Sequence, residues 1–206
     1  MSYFIKYLEG LKKAMNEIEV TDSIGKQISV DVSFTHLCDL SRSLYKSRNT
    51  KFFVGNGASA AFADHMALDW TKNGGVISHS FSNVSLLTAV GNDLSFEEVF
   101  TAPLNWYAKK GDIFVAISSS GNSPDILSSI NLAKEKNLFV ITLSGLKPNN
   151  LARQRGDLNF YVPAKTYGIV ECVHQVLLHI WLDKYMGVED WARDHFQNMS
   201  KDSFNL

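Results

Sequence analysis

Residues 113–117 form an unbroken apolar run that ends abruptly in Ser118-Ser119-Ser120-Gly121-Asn122-Ser123-Pro124. Upstream, Phe52-Phe53-Val54 does the same, ending in Gly55-Asn56-Gly57-Ala58-Ser59. A helical pattern follows each break. Short apolar runs that dissolve into glycine and small hydroxyls before a helix are the local signature of an open α/β sheet. In such a sheet the carboxyl ends of strands meet the amino ends of helices, where free backbone amides favour an anion. Four hydroxyls within six residues, Ser118, Ser119, Ser120 and Ser123, suit an ionised phosphate, which accepts hydrogen bonds and donates none. One such loop is as well explained by ordinary turn and capping serines. Two after successive strands point to a phosphate-bearing ligand.

The rest of the chain repeats the pattern. Residues 51–54, 76–80, 113–117, 139–143 and 158–162 read as strands, and 59–70, 124–135 and 169–186 as helices. Residues 83–90 read as a short helix closed by Gly91-Asn92-Asp93, and 96–107 as another. This alternation predicts a doubly wound parallel sheet. Two amphipathic helices precede it. Residues 4–18 carry Ile5, Leu8, Leu11, Ala14 and Ile18, and residues 31–45 carry Phe34, Leu37, Leu40 and Leu44. The polar run around Gly25 reads as a break between them. Their stripes must be buried, against their own sheet or against another subunit. No repeat or linker divides the chain, so we expect one domain over 1–206, with N-terminal helices in 1–50. The tail at 187–206, polar apart from Trp191 and Phe196, reads as one more short helix.

Charge and cysteine content exclude several classes. Lys plus Arg is 20 against 21 for Asp plus Glu, and no basic block stands out, so no nucleic-acid partner is expected. Cys38 and Cys172 make neither a disulfide scaffold nor a metal motif. No secretion-type core and no membrane-length apolar run occurs, so a cytoplasmic protein without a membrane partner is expected.

His65 and Asp69 lie four residues apart and share a helix face. Glu171 and His179 lie eight apart, again near one face. Two imidazoles and two carboxylates are compatible with zinc or another divalent metal. Taken alone, such residues are more often helix surface or capping groups.

Gly55-Asn56-Gly57-Ala58-Ser59, His65, Gly91-Asn92-Asp93, Phe96-Glu97-Glu98-Val99-Phe100, Ser118 through Pro124, and the helix with Glu171, His174 and His179 occur in an order that resembles the sugar isomerase (SIS) domain family. Within it the likeness is to the phosphoheptose isomerase group, over residues 4–186. The resemblance implies a three-layer, flavodoxin-like α/β sandwich with a five-stranded parallel sheet, and a homotetramer. It implies an isomerase that interconverts sedoheptulose 7-phosphate and a heptose 7-phosphate through an enediolate, for surface polysaccharide precursors. A relative in the same group acts instead through protein contact, so a noncatalytic phosphosugar-binding regulator is the alternative.

By the same resemblance the substrate contacts are Asn56, Gly57, Ser59, Asp93, Ser118, Ser119, Ser120 and Ser123, with Ser119 near the reacting end. Zinc would be held by His65, Asp69, Glu171 and His179. Asp69 would be the base and His179 the acid, with Glu171 a competing base. Asp93 has a second reading as a cap for the helix after it. His174 lies well round the helix from His179 and reads as a structural or interface residue. The chain departs from the family pattern at four places. Asp69 stands for glutamate, Glu171 for glutamine, Asn73 for arginine, and Gly168-Ile169 for an Asp-Arg pair.

Overall fold

The computed structural model describes residues 1–189, and the short helix expected in the tail lies outside the described residues. One sheet is built from β1 (Glu19–Asp22), β2 (Gln27–Ile28), β3 (Lys51–Gly55), β4 (Ser78–Ser80), β5 (Ile113–Ser118), β6 (Phe139–Gly145) and β7 (Leu158–Val162). Their spatial order is β2-β1-β7-β6-β5-β3-β4. The pairs from β7 to β4 are parallel, whereas β1 runs antiparallel to both β7 and β2. The sheet is therefore seven-stranded and mixed, which corrects the expected five-stranded parallel sheet.

The extra strands come from the segment read as a break. Asp22 Oδ1 accepts from the Ile24 and Lys26 N–H groups, and Gly25 takes φ 79° to close the turn. The hairpin then covers the open edge of β7. Asn159 Nδ2 donates to the carbonyls of Thr21 and Asp22, and Arg153 pairs with Glu19 at 2.6 Å. A four-residue strand whose only aliphatic side chain is Val20 shows too little alternation to be recognised.

Among the described residues, seven α-helices cover the sheet. On one face lie α1 (Tyr3–Asn16), α2 (Val30–Ser47), α3 (Ala58–Lys72) and α7 (Tyr167–Met186). On the other lie α4 (Val84–Asp93), α5 (Thr101–Tyr107) and α6 (Pro124–Glu135). The two-residue period of β5 separates the cores. Ile113, Val115 and Ile117 pack with Phe34, Trp70 and Trp181, while Phe114 and Ala116 pack with Phe100, Ile126 and Ile130. The helix expected over 96–107 is broken into a 3-10 turn, Phe96–Glu98, and α5. Pro103 explains the division. In the first turn of α5 its missing N–H costs nothing, whereas mid-helix it would break a hydrogen bond and clash. Helix α4 also runs on through Gly91-Asn92-Asp93 instead of closing before them. No helix among the described residues is long and apolar enough to cross a membrane.

The strand order sets the site. From β3 the chain steps outward to β4, then returns to β5 on the other side of β3. Helix α3, which follows β3, and helix α6, which follows β5, lie on opposite faces. Such a switch point leaves a crevice at the carboxyl ends of the two strands. Gly55 and Ile117 pair there, so the glycine loop and the serine loop emerge side by side.

Candidate active site

The two loops are joined directly. Asn56 Nδ2 donates to Asp125 Oδ2 at 2.8 Å, bridging the first loop to the opening turn of α6. Gly55 is glycine because a Cβ there would lie 2.6 Å from the Ser59 Cβ, which forces α3 to begin close against β3. Gly57 takes φ 58° to turn into that helix, and the Ser59 side chain is buried beneath it.

The serine loop divides into hydroxyls in use and hydroxyls to spare. Ser118 Oγ accepts from the Gly121 N–H at 3.2 Å, and Ser120 Oγ accepts from the Asn122 N–H at 3.3 Å. Ser119 Oγ is buried and has no hydrogen-bond partner among the described residues. Ser123 is the N-cap residue of α6, yet its hydroxyl caps no amide. A free capping hydroxyl and a buried orphan hydroxyl beside first-turn amides form an arrangement that an oxyanion completes.

Asn150 holds this loop from behind and was not foreseen from the sequence. Gly121 has φ 64°, and a Cβ on it would meet Asn150 Oδ1 at 2.0 Å. Asn150 Nδ2 donates to Ser144 Oγ, the Ala152 N–H to the Gly121 carbonyl, and the Gly145 N–H to the Ser119 carbonyl. The polar run at 147–150 reads only as a turn, and nothing in it signals a buttress for a loop some thirty residues away.

A second group lies between α3 and α7. His65 Nε2 is 3.2 Å from Asp69 Oδ2. The His65 and His179 rings are 5.2 Å apart at 62°. One ligand atom from each of His65, Asp69 and His179 falls within 4.8 Å of the others. Packing below fixes this: Trp70 and Trp181 are 4.9 Å apart between the same two helices. Two imidazoles and a carboxylate, all part-exposed or exposed, form a donor set of the kind that suits zinc or a similar divalent ion with positions left for another ligand. Glu171 is not in this group. It stands two turns before His179, about 12 Å along the helix axis.

Gln175 is the residue that sequence reasoning passed over. It lies one turn before His179 and its Nε2 is 2.8 Å from His179 Nε2. Its spacing from His179 repeats that of His65 from Asp69, a signal available in the sequence. Asp93 ends α4 and accepts from Asn92 Nδ2 at 2.8 Å, so it does not cap the following turn. No hydrogen bond joins it to the serine loop or to the His65 group.

His174 has the structural role. It is fully buried, and its Nε2 lies 3.2 Å from the Ser144 carbonyl, which can only accept. Burial pushes its pKa down to about 4, so the ring is neutral and braces β6. Lys51 is also fully buried, with Nζ 3.0 Å from the Trp70 ring centroid and 3.7 Å from that of Trp181. Burial holds its pKa well below the usual lysine value.

The family model for the SIS domain matches residues 32–145. A phosphoheptose isomerase from Sulfurimonas denitrificans is 30% identical over 189 residues, covering 89% of this chain and 94% of that protein. The chain belongs to the SIS domain family, in its phosphoheptose isomerase group. A phosphoheptose isomerase from Helicobacter hepaticus is 37% identical over 135 residues, 63% of this chain and 68% of the relative. The solved structure of phosphoheptose isomerase GmhA from Neisseria gonorrhoeae superposes with TM-score 0.75 at 26% identity, covering 89% of this chain and 95% of that one. As a SIS domain the chain keeps the glycine and serine loops and departs elsewhere. Asn73 Oδ1 is buried and unpartnered, and a Cβ on Gly168 would lie 3.2 Å from the Tyr7 hydroxyl.

Proposed function

We propose that this SIS domain is a sugar-phosphate isomerase of the phosphoheptose isomerase kind, acting on sedoheptulose 7-phosphate and its aldose partner. The observation that carries the reading is the pairing of a buried, unpartnered Ser119 hydroxyl at the switch point with a His65–Asp69–His179 group on the adjoining helices. Ser59, Ser118, Ser120 and Ser123 bind the phosphate with the first-turn amides of α3 and α6, and Asn56 and Gly57 shape the cradle. Ser119 reaches the sugar beyond it, and Asp93 contributes from the loop side.

Aldose–ketose isomerisation moves one proton between neighbouring carbons and stabilises the charge that develops between the steps. Asp69 takes the proton beside the carbonyl. His179 gives a proton to the oxygen. His65 orients the Asp69 carboxylate through the contact at 3.2 Å. A divalent ion, zinc first, held by His65, Asp69 and His179, would polarise the sugar oxygens.

Depth along the helices favours a shared site. Asp69 is eleven residues into α3, about 16 Å along the helix axis from the amino end where the glycine loop lies. That is farther than a seven-carbon sugar phosphate spans. Cradle and acid–base group therefore come from different subunits of a homotetramer, which also buries the exposed Tyr3, Phe4, Ile5 and Leu8 of α1. Glu171, only four residues into α7, then faces substrate or a neighbour's ion instead of its own chain's His179. We take the enzyme to act in the cytoplasm, supplying surface polysaccharide synthesis.

The test is solvent proton exchange with a panel of ketose and aldose phosphates, on metal-free and zinc-loaded protein. Exchange beside the carbonyl of a seven-carbon phosphate is expected. Measurable binding with no exchange from any phosphosugar would remove the enzyme reading.

A further inference from the structure

The serine loop after β5 turns its acceptors toward one segment of chain, residues 145–152. The Ser119 carbonyl accepts from the Gly145 N–H at 3.0 Å and the Gly121 carbonyl from the Ala152 N–H at 2.9 Å. Asn122 Oδ1 accepts from the Leu151 N–H at 3.1 Å. A peptide unit is planar and trans, so its carbonyl and its N–H point opposite ways. Anchoring the Ser119 carbonyl therefore aims the Ser120 N–H away from that segment. Anchoring the Gly121 carbonyl does the same for the Asn122 N–H, which meets Ser120 Oγ at 3.3 Å, longer than an ordinary bond of this kind.

Asn150 fixes the segment in this relation to the loop. It is 1% exposed. Its Nδ2 donates to Ser144 Oγ at 3.1 Å and to the Lys147 carbonyl at 2.9 Å, and its Oδ1 accepts from the Arg153 N–H at 3.0 Å. Exchanging oxygen and nitrogen would break all three bonds, so the amide is held in one orientation. The side chain so held lies against the α-carbon of Gly121, in the space a Cβ would need. A turn that only closed on itself would need the bonds to Lys147 and Arg153. It would need neither the contact with Gly121 nor three donors turned on the serine loop.

We propose that Asn150 is a positioning residue for phosphate recognition. By wedging Gly121 at φ 64°, it sets the two peptide planes whose N–H groups, those of Ser120 and Asn122, face the anion. The inference rests on the phosphosugar reading proposed above. Donors fixed in advance bind an anion without reorganising, and Asn150 supplies that fixity without touching substrate. Among the described residues no hydrogen bond joins it to His65, Asp69 or His179, so its loss weakens binding and spares proton transfer.

The experiment is steady-state kinetics of the full chain, with sedoheptulose 7-phosphate as substrate and inorganic phosphate as competing inhibitor. Wild type, N150A and N150S are compared, each first shown to fold by circular dichroism. Serine keeps an oxygen able to cap the Arg153 N–H but withdraws the side chain from Gly121 and Ser144. Both variants should raise KM by about tenfold or more, the scale of one lost charge-assisted bond, and raise the phosphate inhibition constant by a similar factor. Their kcat should stay within about threefold of wild type, the pattern of lost uniform binding. Should N150A fail to fold, N150S decides alone. A lower melting temperature with unchanged KM and inhibition constant overturns the proposal, as does a fall confined to kcat. If wild type binds the phosphosugar without turnover, calorimetric affinities take the place of KM and decide in the same way. Wild type that binds neither probe overturns the phosphosugar reading and this proposal together.

Discussion

Asn56 donates its side-chain amide to the buried carboxylate of Asp125 at 2.8 Å, and so ties the glycine loop after β3 to the first turn of α6. The bond crosses the switch point of the sheet. Asn56→Ala leaves the carboxylate without that donor and should cost about 1–3 kcal/mol in thermal or denaturant unfolding. Removing both partners, Asn56→Ala with Asp125→Ala, should recover most of the stability but not phosphosugar affinity by calorimetry. Recovery of affinity in the double variant would show that the bond serves folding alone.

Ser119 gives a test in which stability and activity move apart. Its hydroxyl is buried and unpartnered, so Ser119→Ala should be neutral or stabilising by up to about 1 kcal/mol. A hydroxyl that meets the reacting end should at the same time lower kcat by at least about tenfold when lost. Unchanged kcat would assign the orphan hydroxyl to packing.

Asp69 and Glu171 are separated by their position. If Asp69 removes the proton, Asp69→Asn should reduce kcat by about 10²–10⁴-fold, the range for a general base. Glu171→Gln should keep kcat within a few-fold of wild type. Collapse of turnover in the glutamine variant, with phosphosugar binding retained, would make Glu171 the base.

His174 makes stability depend on pH. Its pKa of about 4 in the folded protein lies below the ordinary 6.5, so between these values the unfolded chain takes up a proton that the folded chain does not. Stability from this group is complete above pH 6.5 and is lost as pH falls toward 4, by about 3 kcal/mol at most. Denaturant melts from pH 7 to 4 should show the slope, and His174→Gln should remove it.

Lys51 carries the opposite opportunity. A lysine whose pKa is depressed by burial binds its proton less firmly in the fold than when unfolded, a cost to stability that fades as pH rises toward 10.5. Lys51→Met fills the space between Trp70 and Trp181 without that cost and should raise stability by about 1–3 kcal/mol at pH 7. Ser41, which accepts from Lys51 Nζ, keeps its own bond to the Leu37 carbonyl. A lower melting temperature in the methionine variant would show that the lysine's ring contacts outweigh its burial.

The parallel strands, most of their helices and the two loops at the ends of β3 and β5 were legible because each depends on a few adjacent residues. The β1–β2 hairpin was not, since its pairing with β7 is a contact between residues well over a hundred positions apart. The split at Pro103 had a local cause that was overlooked. His65 and Asp69 could be paired from one-turn spacing, and Gln175 with His179 equally so. Asn150 could not be found, because its role is to meet a glycine turn in another loop.

Sequence alone determined where free amides and spare hydroxyls gather at a strand end, since these are properties of a short segment. Tertiary structure decided which groups share one site. Packing of Trp70 against Trp181 brings α3 and α7 together, so that His179 and Gln175 stand beside His65 and Asp69 while Glu171, two turns away, does not. Distances between side chains on different helices are set by the core beneath them, and no spacing along one chain segment encodes that.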